Sequence, residues 1–349
     1  MTRLSASDGD APAPLIESLG ARADLGAEIV GFAWAGAQVI VATGDGTVRA
    51  IAPDGSTLWD REGAHDGAIL CVAAHPGGGL ITGGDDGAMR RVTAEGEIST
   101  LILEKGRWIQ AVAAHRGVTL AAIGKDVALH REGSGIAHRF DHPATVEAVA
   151  FEPNGRRFAA AHYNGVTLSW ASNPASRRKT LTWTGAHLGV AWSKDARFVV
   201  TFMQENALHG WRLQDGQHFR MTGYPAKIRS MSFDATGDWL ATSGAPEIVC
   251  WPFRTQNGPI GQSGFVVGDL GAPASAVACH PDRPIVAAGS LTGEVALMAL
   301  TGQGRPILVD EGNGARTTAI NWSSDGRFLA YGDEEGRVGV IDFAEAMKG

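Results

Sequence analysis

The chain has 349 residues, a formal net charge of -7, 44% hydrophobic residues and three cysteines. That acidic balance weighs against binding driven by phosphates, which leaves a basic footprint, so nucleic acid is not an expected partner. No run approaches the ~20 apolar residues of a membrane span, and residues 1–14 lack the apolar core of a signal segment. Cys71, Cys250 and Cys279 have no close spacing and read as small buried hydrophobes in a reducing compartment, so a cytoplasmic protein without membrane contact is expected.

In chain order, residues 1–12, rich in Ser, Asp, Ala and Pro, are expected to be disordered, and residues 14–19 form an isolated apolar strand. One pattern then recurs eight times: an apolar strand, a Pro/Asp/Gly turn, a second strand ending in small residues, a Gly turn and a third strand. Anchored on the third strand, equivalent positions are Ile51, Val92, His130, Trp170, Trp211, Trp251, Met298 and Ile341, separated by 38 to 47 residues. Short runs that stop at Gly, Pro, Asn or Asp are strands, and a period near 40 is that of a four-stranded propeller blade.

The third position of the first strand is small in every copy: Gly31, Cys71, Ala111, Ala148, Gly189, Ser230, Ala276 and Ala319. Strands converging on an axis leave no room for bulk on one face, so a radial array accounts for this restriction. A fourth, outer strand follows the first seven units, at 57–59, 98–103, 138–140, 180–183, 218–221, 265–267 and 306–309. The eighth unit ends too near the terminus to supply one. Residues 14–19 are therefore expected to complete the last blade and cover its edge. The expected fold is all-β: one propeller over residues 13–343 of four-stranded antiparallel blades, eight of them with seven as the alternative, followed by a short tail, 344–349.

The turns at Glu152 to Gly155 and Ser323 to Gly326, the Gly-Ala-His runs at Gly63 to His65 and Gly185 to His187, the Asp-Gly turns, and Trp170, Trp211 and Trp251 together resemble the WD40-repeat family over nearly the whole chain. The Asp that follows the Trp in that family is kept only at Asp342, with Ala171, Arg212 and Pro252 in the other three places. The resemblance implies a propeller with a buried Asp-His-Ser/Thr-Trp network per repeat, which these departures leave expected in few blades.

His75, His115 and His280 occupy one register just before a turn, in units too far apart around the ring to share a zinc, so they read as turn caps. His65, His142 and His187 lead into first strands, where the family has a structural His. No Walker-type loop, nucleophile elbow or Cys-Xaa-Xaa-Cys occurs, and axial positions gather no paired carboxylates. No catalytic residue, metal or cofactor is expected, nor an obligate small molecule.

The loops joining strands two and three, and those entering each next blade, share one face. Units 8, 1 and 2 place Asp333, Glu334, Glu335, Asp45, Asp85 and Asp86 there; units 3 to 6 place Lys105, Arg107, Trp108, Lys125, Tyr163, Met203, Tyr224, Lys227 and Arg229, with Gln110 and Glu147 opening from first strands. Aromatics, Met and Arg are enriched at interface cores. The expected function is thus a non-catalytic scaffold that holds a protein or peptide on this face. The alternative is a small-ligand or lactonase-type hydrolase site at the channel mouth. Arg177, Arg178 and Lys179, with the loop 255–264, form a lesser candidate on the opposite face.

Overall fold

Short apolar runs can satisfy their backbone groups only by pairing with a neighbour, and the glycines between them permit the tight reversals. Gly46, Gly87 and Gly336, each after an acidic residue, have φ of +85°, +80° and +100°. A computed structural model describes residues 13–344; segments 1–12 and 345–349, expected as a disordered N-terminal segment and the end of a tail, lie outside the described residues.

The strands form seven antiparallel sheets, six of four strands and one of six. Their innermost strands stand side by side, and Ile29–Ala35 touches both Ile69–Ala74 and Thr317–Trp322, which closes a ring. Seven sheets replace the eight separate blades expected, because units four and five share the six-stranded sheet. Its long strands Arg157–Trp170 and Lys179–Trp192 continue through the junction, where Tyr163 pairs with Ala186 and Gly185 N donates to Asn164 Oδ1. Within this sheet Ala171 N donates to Arg156 O at 2.8 Å. A separate apolar layer, including Ala161, Leu168, Trp192 and Trp211, lies between its two halves.

The same bond corrects one register. Leu213 N donates to Arg197 O as Ala171 N does to Arg156 O, so Ser169 rather than Trp170 matches Trp211. Ser169 and Trp211 are buried, whereas Trp170 is 38% exposed with Arg157 over its ring.

Six inner strands carry a register shift immediately before the small position, at Gly31, Cys71, Ala148, Gly189, Ala276 and Ala319. Bulk is excluded there: a Cβ on Gly31 would lie 2.4 Å from Val72 Cγ2, and one on Gly189 2.1 Å from the Phe202 ring. A bulge re-aims the residue just before the small one. Two of those residues bond the adjacent blade, Ser275 Oγ donating to Thr317 O at 2.6 Å and Thr318 Oγ1 to Ile29 O at 2.6 Å; Gln110, before an unbulged strand, does the same through Nε2 to Val146 O at 3.1 Å. The inner ring is therefore stapled from sheet to sheet, including across its closure.

Closure uses an N-terminal strand that begins six residues later than expected. Gly20–Asp24 pairs with Arg337–Asp342, from Gly20 opposite Ile341 to Asp24 opposite Arg337. Residues 14–19 do not form that strand; they include the helical turn Ile16–Leu19. Leu15 and Leu19, four apart and so on one helical face, pack with Trp322 and Phe343, and Leu15 N donates to Leu308 O. The Asp310 carboxylate, 2% exposed, accepts from Arg22 Nε at 2.9 Å and from Tyr331 Oη at 2.5 Å. Burial alone would raise its pKa, but the bonds from Arg22 and Tyr331 hold it below the usual carboxylate value.

Asp310→Ala is expected to destabilise the ring by about 3 kcal/mol, as for loss of one partner of a buried pair. A melting temperature within a degree or two of the parent would show that the clasp does not hold the closure. Ala276→Leu, although apolar, should cost roughly 1–3 kcal/mol by overpacking a position 3% exposed and opposite Gly289. Denaturant unfolding measures it, and an unchanged midpoint would contradict the crowding described.

Candidate interaction site on the loop face

The connection from Ile98–Leu103 to Ala111–His115 crosses the loop face under tight backbone control. Glu104 N donates to Gly87 O at 2.8 Å, Arg107 N to Glu104 O, and Ile109 N to Gly84 O at 3.0 Å. Ile109 is fully buried, which anchors the segment and leaves its neighbour Trp108 65% exposed. Arg107 Nη2 donates to Ile123 O at 2.6 Å and lies 3.6 Å from Asp126, tying this loop to the next hairpin. Gln110 is likewise fixed, donating to Gly124 O and Val146 O while its Oε1 accepts from Gly124 N.

Between these loops lies a groove of about 500 Å³, walled by Gly106, Arg107, Trp108, Gln110, Thr145 and Glu147. Lys105, Lys125 and Glu147 are exposed around it. Four of the expected site residues thus converge: Arg107, Trp108, Gln110 and Glu147. Tyr163 is 55% exposed on the fourth sheet. Lys227 Nζ donates to Gln204 Oε1, and Arg229 is exposed at the central channel, a cavity of about 440 Å³ that Arg316 and Asn321 also line.

Met203 and Tyr224 stand elsewhere. Met203 is 1% exposed in an apolar core, and Tyr224, 8% exposed, holds a buried network: its Oη bonds Thr242 Oγ1 at 2.7 Å and accepts from Trp251 Nε1 at 2.6 Å. The second sheet has the counterpart in histidine. His65 bonds Asp86 Oδ1 at 3.0 Å and Thr82 Oγ1 at 2.8 Å. Asp86 also accepts from Ala88 N, Asp66 N and Arg90. Burial alone would raise its pKa; the His65 and backbone bonds hold it well below the carboxylate norm. The sequence signal was the pairing of Gly-Ala-His with Asp-Gly, read there as a surface acid.

The other acids also serve turns. Asp45 accepts from Thr43 Oγ1 and Thr47 N, and Asp85 from Ala68 N. Asp333 accepts from Asn313, Glu335 N and Arg337 N; Glu334 pairs with Arg316. Glu335 is exposed, 3.5 Å from Asn313 Nδ2. The histidines cap backbone: His75 Nδ1 accepts from Gly77 N, His280 Nδ1 from Asp282 N, and His187 bonds Thr201 Oγ1 and Trp183 O. Burial pushes all three cysteine thiols up to about 12, leaving them unreactive.

A closed ring of repeated antiparallel sheets, with rigid inner strands and varied loops, defines a β-propeller. The family profile described as "WD domain, G-beta repeat" (WD40) matches residues 59–90, the stretch that holds the His65–Asp86–Thr82 network. Over that stretch the chain is similar to a WD40 repeat. Telomerase protein component 1 of Rattus norvegicus is 23% identical over 271 residues, which are 72% of this chain and 10% of that protein. The chain therefore spans about a tenth of that relative. The crystal structure of the computationally designed Ika8 protein superposes with a TM-score of 0.73 at 18% identity, covering 92% of this chain and 98% of the other, a likeness of fold. No helix among the described residues is long and apolar enough to cross a membrane.

Two buried histidines set an acid limit. Burial, then the neighbouring His162, lowers His142 to about 4; burial, then His218, lowers His209 to about 3. His209 lies between Trp183, 4.1 Å away, and His218, with neither ring nitrogen bonded. Below pH about 6.5 the unfolded chain takes up protons that these rings refuse in the folded state. Stability should therefore fall from pH about 6.5 towards 4, by up to about 1.4 kcal/mol per pH unit for each ring. Urea midpoints at pH 7.5 and 5.0 test this, with His209→Phe expected to flatten the slope; equal midpoints for the parent would refute it.

Proposed function

We propose that this protein is a non-catalytic scaffold whose loop face grips an extended acidic or amphipathic segment of a protein partner, with Trp108 as the central anchor. WD40 propellers typically bind proteins, which supports the class of partner. The observation that carries the site is a tryptophan 65% exposed at a groove of about 500 Å³ whose walls are held by backbone hydrogen bonds. A rigid exposed aromatic loses little entropy on binding and is a frequent hot spot. Lys105, Arg107 and Lys125 would face the acids of the segment, while Gln110, Glu147, Tyr163, Lys227 and Arg229 extend the contact towards the channel. Of the acids Asp45, Asp85, Asp86, Asp333, Glu334 and Glu335, the exposed Glu334 and Glu335 would steer approach, while Asp86 and Asp333 are buried in turn networks.

Residues 13–343 make one domain in this reading, placed in the cytoplasm, and its repeats count as eight blades. Two observations favour that count. The bond between Ala171 and Arg156 matches the one between Leu213 and Arg197, and an apolar layer divides the six-stranded sheet as it divides neighbouring sheets.

Trp108→Ala is expected to weaken binding of a partner co-purified at physiological salt by on the order of 2 kcal/mol, with little change in melting temperature. Titration of that partner against Trp108→Ala and Arg177→Ala decides the face. Loss of binding only in the Arg177 variant would move the site to the opposite side.

A further inference from the structure

On the face away from the Trp108 groove, the sixth and seventh sheets enclose a cavity of about 240 Å³ that the proposed partner site does not use. Leu15 and Leu19 roof it from the helical turn that precedes the closing strand; Ile285, Leu297, Trp322 and Phe343 supply the walls. Trp322 spends its indole N–H on Ala278 O at 3.1 Å, so its ring offers the cavity an apolar surface. His280 also lines it. Its Nε2 bonds Gly326 O at 3.1 Å and its Nδ1 accepts from Asp282 N, so both ring nitrogens are engaged by the turns around it. Arg283, on the turn between Ala274–Cys279 and Ile285–Ser290, stands exposed at the rim with no ion pair among the described residues. The nearby Asp282 carboxylate lies 2.7 Å from His280 Nδ1.

An apolar cavity with a single unpaired guanidinium at its mouth has the polarity of an amphipathic anion's site: walls for a hydrocarbon part and a planar donor for a carboxylate. At roughly 30 Å³ per heavy atom, the share of a water in its liquid, the volume takes about eight heavy atoms. We infer that this cavity binds a small monocarboxylate with an apolar tail of about that length, the carboxylate on Arg283 and the tail against Trp322 and Phe343. Because Leu15 and Leu19 form the roof, bound ligand stabilises the closure of the ring as well.

Calorimetric titration of the full chain with sodium octanoate, below the concentration at which it forms micelles, tests the site. The expected result is saturable binding with a raised melting temperature, weakened roughly tenfold by Arg283→Ala through loss of a charge-assisted contact. Ile285→Trp, which fills the cavity, should abolish binding; if that variant does not fold, Ile307→Trp at the 54% exposed rim replaces it. Octylamine binding as tightly as octanoate would overturn the carboxylate assignment. Absence of octanoate binding, or binding unchanged in a folded filled variant, overturns the site itself. Binding that appears only after removal of residues 345–349 would assign the cavity to the chain's own tail and overturn the proposal too.

Discussion

The closure of this ring depends on one carboxylate. Asp310, at the end of the sixth sheet's outer strand, holds Arg22 of the closing strand and Tyr331 of the last sheet at once, with Arg337 3.6 Å away. A sheet that lacked its fourth strand would leave an unpaired edge and an uncovered apolar face. The chain removes both by bringing Gly20–Asp24 to Arg337–Asp342, and the fit is close: a Cβ on Gly20 would lie 2.3 Å from Val340 O. Burying Asp310 is favourable only because cationic and hydroxyl donors surround it. That makes the seam between the closing strand and the last sheet a specific lock rather than a generic strand pairing.

A ring held in this way leaves its loops free to differ. The inner strands are confined by their small residues and by hydroxyl and amide staples to the next sheet, whereas the connections above them answer only to local turn geometry. Trp108 and Ile109 show how the two regimes meet. Adjacent side chains on an extended segment point in opposite directions, so burying Ile109 delivers Trp108 to solvent in a fixed pose. The networks under the loops are interchangeable in the same sense. A His between Asp and Thr in the second sheet, and a Tyr between Thr and Trp in the fifth, both tie a loop to a third or second strand.

The repeat was legible because its constraint is steric and local: eight small residues at one register, and seven outer strands at the expected places. What failed was whatever depends on a single residue of register or on the direction of a side chain. Trp170 attracted the alignment because tryptophan marks the repeat, yet a slip of one residue exchanges the two faces of a strand, and Ser169 took the buried place. Tyr224 and Met203 look like interface residues by type; Tyr224 is buried on Thr242 and Trp251, some twenty residues away, and Met203 lies at the end of a strand, opposite His187. Residues 14–19 alternate well enough for a strand, but Leu15 and Leu19 are also spaced for a helical face, and packing on Trp322 selects the helix. The junction of units four and five was hidden because backbone pairing between Tyr163 and Ala186 leaves no mark in side-chain pattern.

Pairing Gly20–Asp24 with Arg337–Asp342 also fixes an order of events during synthesis. The two partners are separated by more than three hundred residues, and the first of them to leave the ribosome must wait for the second. Closing so long a loop costs conformational entropy that no local contact offsets until the ring is almost complete. Through that interval the nascent chain is an open arc whose leading strand has no place of its own, and whose terminal sheets expose apolar faces to other chains. Maturation is therefore a single late docking step, and an open arc that meets a second open arc can exchange its leading strand before it finds its own.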